Sequence, residues 1–181
     1  MTSLIDDLLL LVKLEDGETA DRTEEDLMEM LSMVVEDFRE NPAARHVDFD
    51  LSSGETTAPF MANRPELLRA FSNIVDNAVR KCGEKHGEEG GRVKLSLRKD
   101  ENERAEWVIT FEDNGTGVSP EAAGLIFKEF HNSGVRRDKW GIGGHGLGLS
   151  IAARIIRAHG GTIDLLTVSG TGAVFEVRLP A

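Results

Sequence analysis

The sequence predicts an α+β fold. It is a two-layer α/β sandwich, with a mixed, mostly antiparallel sheet covered by helices on one face. Two observations predict it. The strand patterns come in neighbouring pairs and do not alternate strictly with helices; their order is helix, β, β, helix, β, β, helix, helix, β, β. The strands alternate apolar and polar residues, whereas the helices carry apolar stripes at spacings of three and four.

The elements follow in order. Leu4, Ile5, Leu8, Leu11 and Val12 give residues 3–15 a helical stripe. So short a helix is marginal alone in water, so it is expected to pack on another copy or on a helix outside this chain. Residues 15–21 are acidic, contain Gly17 and read as a linker. A second helix is expected from Thr23, with Glu24, Glu25 and Asp26 in its first turn and Leu27, Leu31, Val34, Val35 and Phe38 on its buried face. Asn41 and Pro42 end it. Val47, Phe49 and Leu51 alternate as a strand, residues 52–58 read as a turn, and a short strand covers Pro59 to Ala62.

Asn63 and Pro65 then mark a helix start, with Leu67, Leu68, Phe71, Ile74, Val75 and Ala78 facing the core. That helix is expected to end near Cys82 and Gly83, before a charged, glycine-rich loop over 84–91. Val93, Leu95 and Leu97, then Trp107, Ile109 and Phe111, form a strand pair joined by a hairpin over residues 99–104. A short helix is expected from Pro120 to Phe130, with irregular chain over 131–145. The next helix starts near Gly146, carries Leu147, Ile151, Ile155 and Ala158, and stops at Gly160. Two last strands hold Ile163 and Leu165, then Val174 and Leu179, joined through Ser169-Gly170-Thr171-Gly172.

Composition narrows the function. The 181 residues include 21 Lys and Arg against 32 Asp and Glu, a formal net charge of −11. That field repels nucleic acid, so no nucleic-acid partner is expected. The one cysteine, Cys82, cannot form an internal disulfide or a cysteine metal site, and a reducing cytoplasm suits it. The longest apolar run, Leu8 to Val12, is far below the roughly 20 residues of a membrane span, so no membrane contact by this segment is expected. No secretory signal and no internal repeat is visible.

Three stretches carry chemistry. Asn73 and Asn77, four residues apart, share one helix face beside the core positions. Two amides so placed serve either solvent or a polar task, and an amide oxygen is a hard ligand suited to Mg²⁺. Asp113-Asn114-Gly115-Thr116-Gly117 follows an apolar strand directly. It reads as a plain turn, or as a carboxylate that accepts from the exocyclic amine of adenine and repels the guanine carbonyl. Gly141, Gly143, Gly144, Gly146 and Gly148 place five glycines in eight residues at the mouth of a helix, where backbone N–H groups can cradle phosphate. The run is not a dinucleotide-binding fingerprint, because Arg136-Arg137-Asp138-Lys139-Trp140 before it is no strand. A mobile lid with glycine hinges fits better.

Together these stretches resemble, in order and spacing, the histidine-kinase branch of the ATP-binding superfamily that also holds gyrase, Hsp90 and MutL. Asn73 to Lys81 is similar to its N box and Asp113 to Gly117 to its first glycine box. Ile126 to Phe130 is similar to its phenylalanine box, Gly144 to Leu149 to its second glycine box, and Gly170 to Gly172 to a final glycine turn. Residues 1–17 resemble the end of the second helix of that family's dimerisation domain, and residues 18–181 its ATP-binding catalytic domain.

The resemblance implies site roles. Asn77 would bind Mg²⁺ and Asn73 would reach phosphate or metal-bound water. Arg80 and Lys81 would sit near the phosphates. Asp113 would hold the adenine amine, with Gly115 and Gly117 beside the base. Gly144, His145, Gly146, Leu147 and Gly148 would form the lid end, and Phe127 and Phe130 would pack its base. Arg136, Arg137 and Lys139 are either phosphate contacts or a solvated charge run.

The implied activity is Mg²⁺- and ATP-dependent protein-histidine kinase activity in a two-component system. The γ-phosphoryl would pass to a histidine on a dimerisation/phosphoacceptor domain outside this chain, since none of the five histidines lies in a helix upstream of the linker. A response-regulator receiver domain would follow indirectly, the full-length context would be a homodimer, and the location would be cytoplasmic, compatible with attachment to a membrane-anchored receptor. Hydrolysing relatives resemble one another in carrying Glu one turn before the metal-binding Asn, as a general base. Here Asn73 stands there, which argues against a clamp-type ATPase. A nucleotide-binding regulatory module without kinase activity is the other alternative.

Overall fold

The computed structural model describes residues 9, 10, 12, 21–101, 105–128, 146–167 and 172–181. A five-stranded sheet has the order β2 (Val47–Ser53), β4 (Gly91–Asp100), β5 (Glu106–Asp113), β7 (Ala173–Pro180), β6 (Thr162–Leu165). β2 and β4 pair in parallel; every other neighbouring pair in this sheet is antiparallel. The parallel pair needs a long crossover. It is supplied by β3 (Pro59–Ala62) and the long helix α2 (Arg64–His86).

One face of the sheet is apolar. Val93, Leu95 and Leu97 on β4, Trp107, Ile109 and Phe111 on β5, and Phe175, Val177 and Leu179 on β7 are all buried. Helices α1 (Leu27–Glu40), α2 and α4 (Gly148–Ala158) contribute the other half of that core. Leu27, Met30, Leu31, Val34 and Val35 of α1 are each at most 2% exposed. Each such side chain contributes about 1.5–3 kcal/mol on burial. Phe71 of α2 meets Phe111 of β5 with ring centroids 5.9 Å apart, which ties the long helix to the central strand. The two-layer sandwich expected from the strand pairing is the observed architecture.

Several boundaries differ from expectation. Thr23–Asp26 is not the first turn of a helix but a strand, β1, antiparallel to β3 in a separate two-stranded sheet. The helix starts at Leu27. Asp26 is its cap: Oδ1 accepts from the N–H groups of Met28, Glu29 and Ala58. β2 runs on through Ser53 into the stretch read as a turn. Helix α2 does not stop at Gly83. It runs to His86, and Gly87 ends it at φ 71°. The short helix α3 covers only Pro120–Ala123, capped by Ser119, with turns through Phe127. Helix α4 begins at Gly148, two residues later than Gly146.

Asn63 caps α2 as expected, its side chain accepting from Glu66 N–H at 3.1 Å. Leu9, Leu10 and Val12 are helical. The remainder of the first helix, the linker over residues 15–20, Phe130 and the 131–145 stretch lie outside the described residues. Among the described residues no helix is long and apolar enough to cross a membrane.

Candidate functional site

The inward-facing row of β5 reads Trp107, Ile109, Phe111, Asp113. At its last position the apolar row gives way to a carboxylate, 5% exposed. Asp113 Oδ1 accepts from Gly115 N–H at 2.8 Å and Ala173 N–H at 3.4 Å. Oδ2 is buried with no hydrogen-bond partner among the described residues. Burial pushes the carboxyl above its usual range, against the pull of those two N–H groups and of Lys81 and Lys85. A buried acceptor atom left unmatched is costly, and a ligand donor would satisfy it.

The backbone around Asp113 is held by contacts that leave no room for a side chain. A Cβ on Gly115 would lie 2.5 Å from the Lys81 carbonyl carbon, and Thr116 N–H donates to Lys81 O at 3.3 Å. The glycine therefore lets this loop touch the backbone of α2, a packing reason beside the one expected. Gly117 has φ 72°. Gly172, the described part of the final glycine turn, has φ 122°, and a Cβ there would fall 2.0 Å from the Asp113 carbonyl oxygen.

Asn114 was not anticipated as a site residue. Its Oδ1 accepts from Arg92 N–H, its Nδ2 donates to Gly90 O, and its carbonyl contacts Lys85 Nζ and a ring nitrogen of His86. It pins the end of α2 to the start of β4. Its place inside an Asp-x-Gly turn was the available signal. Cys82, fully buried beside it, donates weakly to Asn114 Oδ1, and burial pushes its thiol up, so it is an inert packing residue.

Asn73 and Asn77 lie one turn apart on α2. Asn73 Nδ2 is buried without a partner among the described residues, a free donor. Gly148, at the start of α4, abuts that residue: a Cβ there would sit 3.7 Å from Asn73 Cβ and Cγ. The glycine-rich end of α4 and the asparagine face are thus brought together. Asn77 Oδ1 accepts from Arg80 at 2.8 Å. Arg80 and Lys81 both contact Glu84, a second residue that sequence reading missed, although its spacing of four and three from these cations was visible.

Of the remaining expected site residues, Gly146 has φ 73°. The side chain of Leu147 is 1% exposed and belongs to the core, and its carbonyl accepts from Ser150 Oγ and Ile151 N–H. Phe127 packs edge-on against Phe175 at 6.1 Å, as core. Gly144, His145, Arg136, Arg137 and Lys139 lie outside the described residues.

Residues 62–181 match the family model described as histidine kinase-, DNA gyrase B- and HSP90-like ATPase. The chain is 37% identical to the sensor histidine kinase RppB of Synechocystis, over 99% of this chain and 38% of that protein. It is 32% identical to the alginate biosynthesis sensor protein KinB of Pseudomonas aeruginosa, over 98% of this chain and 28% of that protein. Among solved structures, full-length ShkA in complex with AMPPNP superposes with a TM-score of 0.76 at 26% identity, covering 98% of this chain and 35% of that one. The nucleotide-free catalytic domain of histidine kinase ThkA gives 0.73 at 25% identity, covering 89% and 96%.

Proposed function

The chain belongs to the histidine kinase-, DNA gyrase B- and HSP90-like ATPase family, and from that premise we propose that it is the catalytic domain of a two-component sensor kinase, delivering the γ-phosphoryl of Mg²⁺-bound ATP to a histidine on a separate phosphoacceptor domain. The observation that carries the reading is a pair of unmatched buried atoms, an acceptor at Asp113 Oδ2 and a donor at Asn73 Nδ2. Adenine offers an amine donor to the first. A phosphate oxygen offers an acceptor to the second.

The donor set fits a magnesium nucleotide. Asn77 presents an amide oxygen, a hard ligand of the kind Mg²⁺ takes together with water and phosphate. Bound there, the metal would neutralise phosphate charge. The chain's own part is to orient. Asp113 fixes the base, Arg80 and Lys81 place cations near the phosphates, and Gly146 with Gly148 opens the start of α4 to their approach. Asn73 is an amide and takes no proton at neutral pH. The site therefore positions ATP and leaves its γ-phosphoryl for an external nucleophile.

We read residues 1–17 as the end of a dimerisation-domain segment and residues 18–181 as the catalytic domain. Its partners are a phosphoacceptor domain in a homodimer and, indirectly, a response-regulator receiver domain. The location is cytoplasmic. The test mixes this chain with a separately produced phosphoacceptor domain and γ-labelled ATP. An acid-labile, base-stable label on the acceptor is expected. Fast ATP hydrolysis with no transfer would replace the kinase by a clamp-type ATPase.

A further inference from the structure

On the Asn77–Glu84 face of α2, four polar side chains already engage one another. Arg80 forks, one terminal nitrogen donating to Asn77 Oδ1 at 2.8 Å and the other to Glu84 Oε1 at 2.8 Å. Glu84 Oε2 takes Lys81 Nζ at 2.6 Å. The side chains of Arg80, Lys81 and Glu84 are only 21%, 25% and 34% exposed, so solvent screens them incompletely. Asp76, one turn before Arg80, adds a second carboxylate acting on the same guanidinium.

We propose that Glu84 is a positioning residue that makes the site discriminate by ligand charge, favouring a metal-bound nucleotide over a bare one. The inference rests on the nucleotide reading given above. A divalent ion bound at the Asn77 amide oxygen repels the guanidinium that now donates to it. Arg80 must therefore leave Asn77 when a metal arrives, and Glu84 holds the other branch of the fork while it swings away. A bare polyphosphate meets different conditions. It carries two more negative charges than its magnesium complex, and it must take Arg80 and Lys81 from a carboxylate of its own sign. The repulsion grows with ligand charge, so it weighs more heavily on the metal-free form.

The test substitutes Glu84→Gln in the full 181-residue chain, which removes charge and keeps shape. ATP affinity is measured for both proteins, with EDTA and with Mg²⁺. The variant is expected to bind ATP in EDTA about three- to tenfold more tightly, and in Mg²⁺ within about twofold of the parent. The EDTA-to-Mg²⁺ ratio of dissociation constants therefore falls, and the change shrinks in high salt. A merely helix-stabilising pair would move the melting temperature and leave that ratio alone; an unchanged ratio overturns the proposal. If neither protein binds ATP under either condition, the nucleotide reading fails and this inference fails with it.

Discussion

In the nucleotide reading proposed above, Asp113 trades stability for recognition. Its inward position was legible from the two-residue period of Trp107, Ile109 and Phe111, but the unmatched oxygen was not, because burial depends on β7 and α2 packing over the strand end. Asp113→Asn is expected to weaken ATP binding by about one to two decades, the value of a charge-assisted hydrogen bond of roughly 1.5–3 kcal/mol. Calorimetric titration checks it, and unchanged affinity would remove Asp113 from the site. The carboxyl pKa is raised on folding. Its contribution to stability is therefore present in acid and lost as pH rises through the folded value. At neutral pH the charged, unmatched group is a burden. The same Asn variant should thus melt a few degrees higher without nucleotide, since ~1 kcal/mol is worth about 2–4 °C at this size. Glu84 was harder to see, because its spacing from Arg80 and Lys81 is equally that of an ordinary solvated helix pair.

At the scale of elements, the ends of α4 and α2 meet at His159. Its ring is 2% exposed; Nδ1 donates to Ile155 O at 2.8 Å, and Nε2 accepts from Asn63 N–H at 3.1 Å. Burial holds the imidazole below its ordinary pKa, Arg22 adds to that effect, and Glu66 opposes it. A lowered value means that stability is present above the ordinary pKa of 6.5 and is lost as pH falls from there toward the folded value. Thermal melting is expected to fall between pH 7 and 5, with a flatter profile in His159→Gln. Packing at Gly161 makes another prediction: a Cβ would lie 2.3 Å from Arg178 O, whereas at Gly124 nothing lies within 4 Å. Gly161→Ala should cost ~1–3 kcal/mol in denaturant melts, and Gly124→Ala almost nothing. The long helices and paired strands were legible from periodicity. Strand β1 was not: Thr23-Glu24-Glu25-Asp26 has the chemistry of a helix start, and only its pairing with β3 makes it a strand.

Across the whole molecule, α4 joins two regions that the chain order keeps apart. Its first residue abuts Asn73, and the carbonyl of its last, Ala158, accepts from Arg22 at the chain's entry into β1. The parallel β2–β4 pairing and the division into two sheets were not legible, because alternation shows that a strand exists and not which strand it joins. The order of the motifs was legible because each lies on, or directly at the end of, a periodic element: Asn73 and Asn77 within α2, Asp113 at the end of β5 and Gly148 at the start of α4. Incubated alone with labelled ATP, the chain is expected to turn it over very slowly and to retain no stable label. Of the described histidines, His46 and His159 are buried and His86 is engaged at Asn114. A stable label on this chain would contradict the transfer in trans.

Gly115, pressed against the Lys81 backbone, and Gly172, pressed against the Asp113 carbonyl, have no room for a methyl group. In a saturation screen scored by nucleotide retention, both would rank with Asp113 for reasons of backbone proximity alone. The functional map drawn from such a screen would be wider than the footprint of the ligand. Only scoring every variant twice, once for abundance and once for binding, would return the map to its true outline.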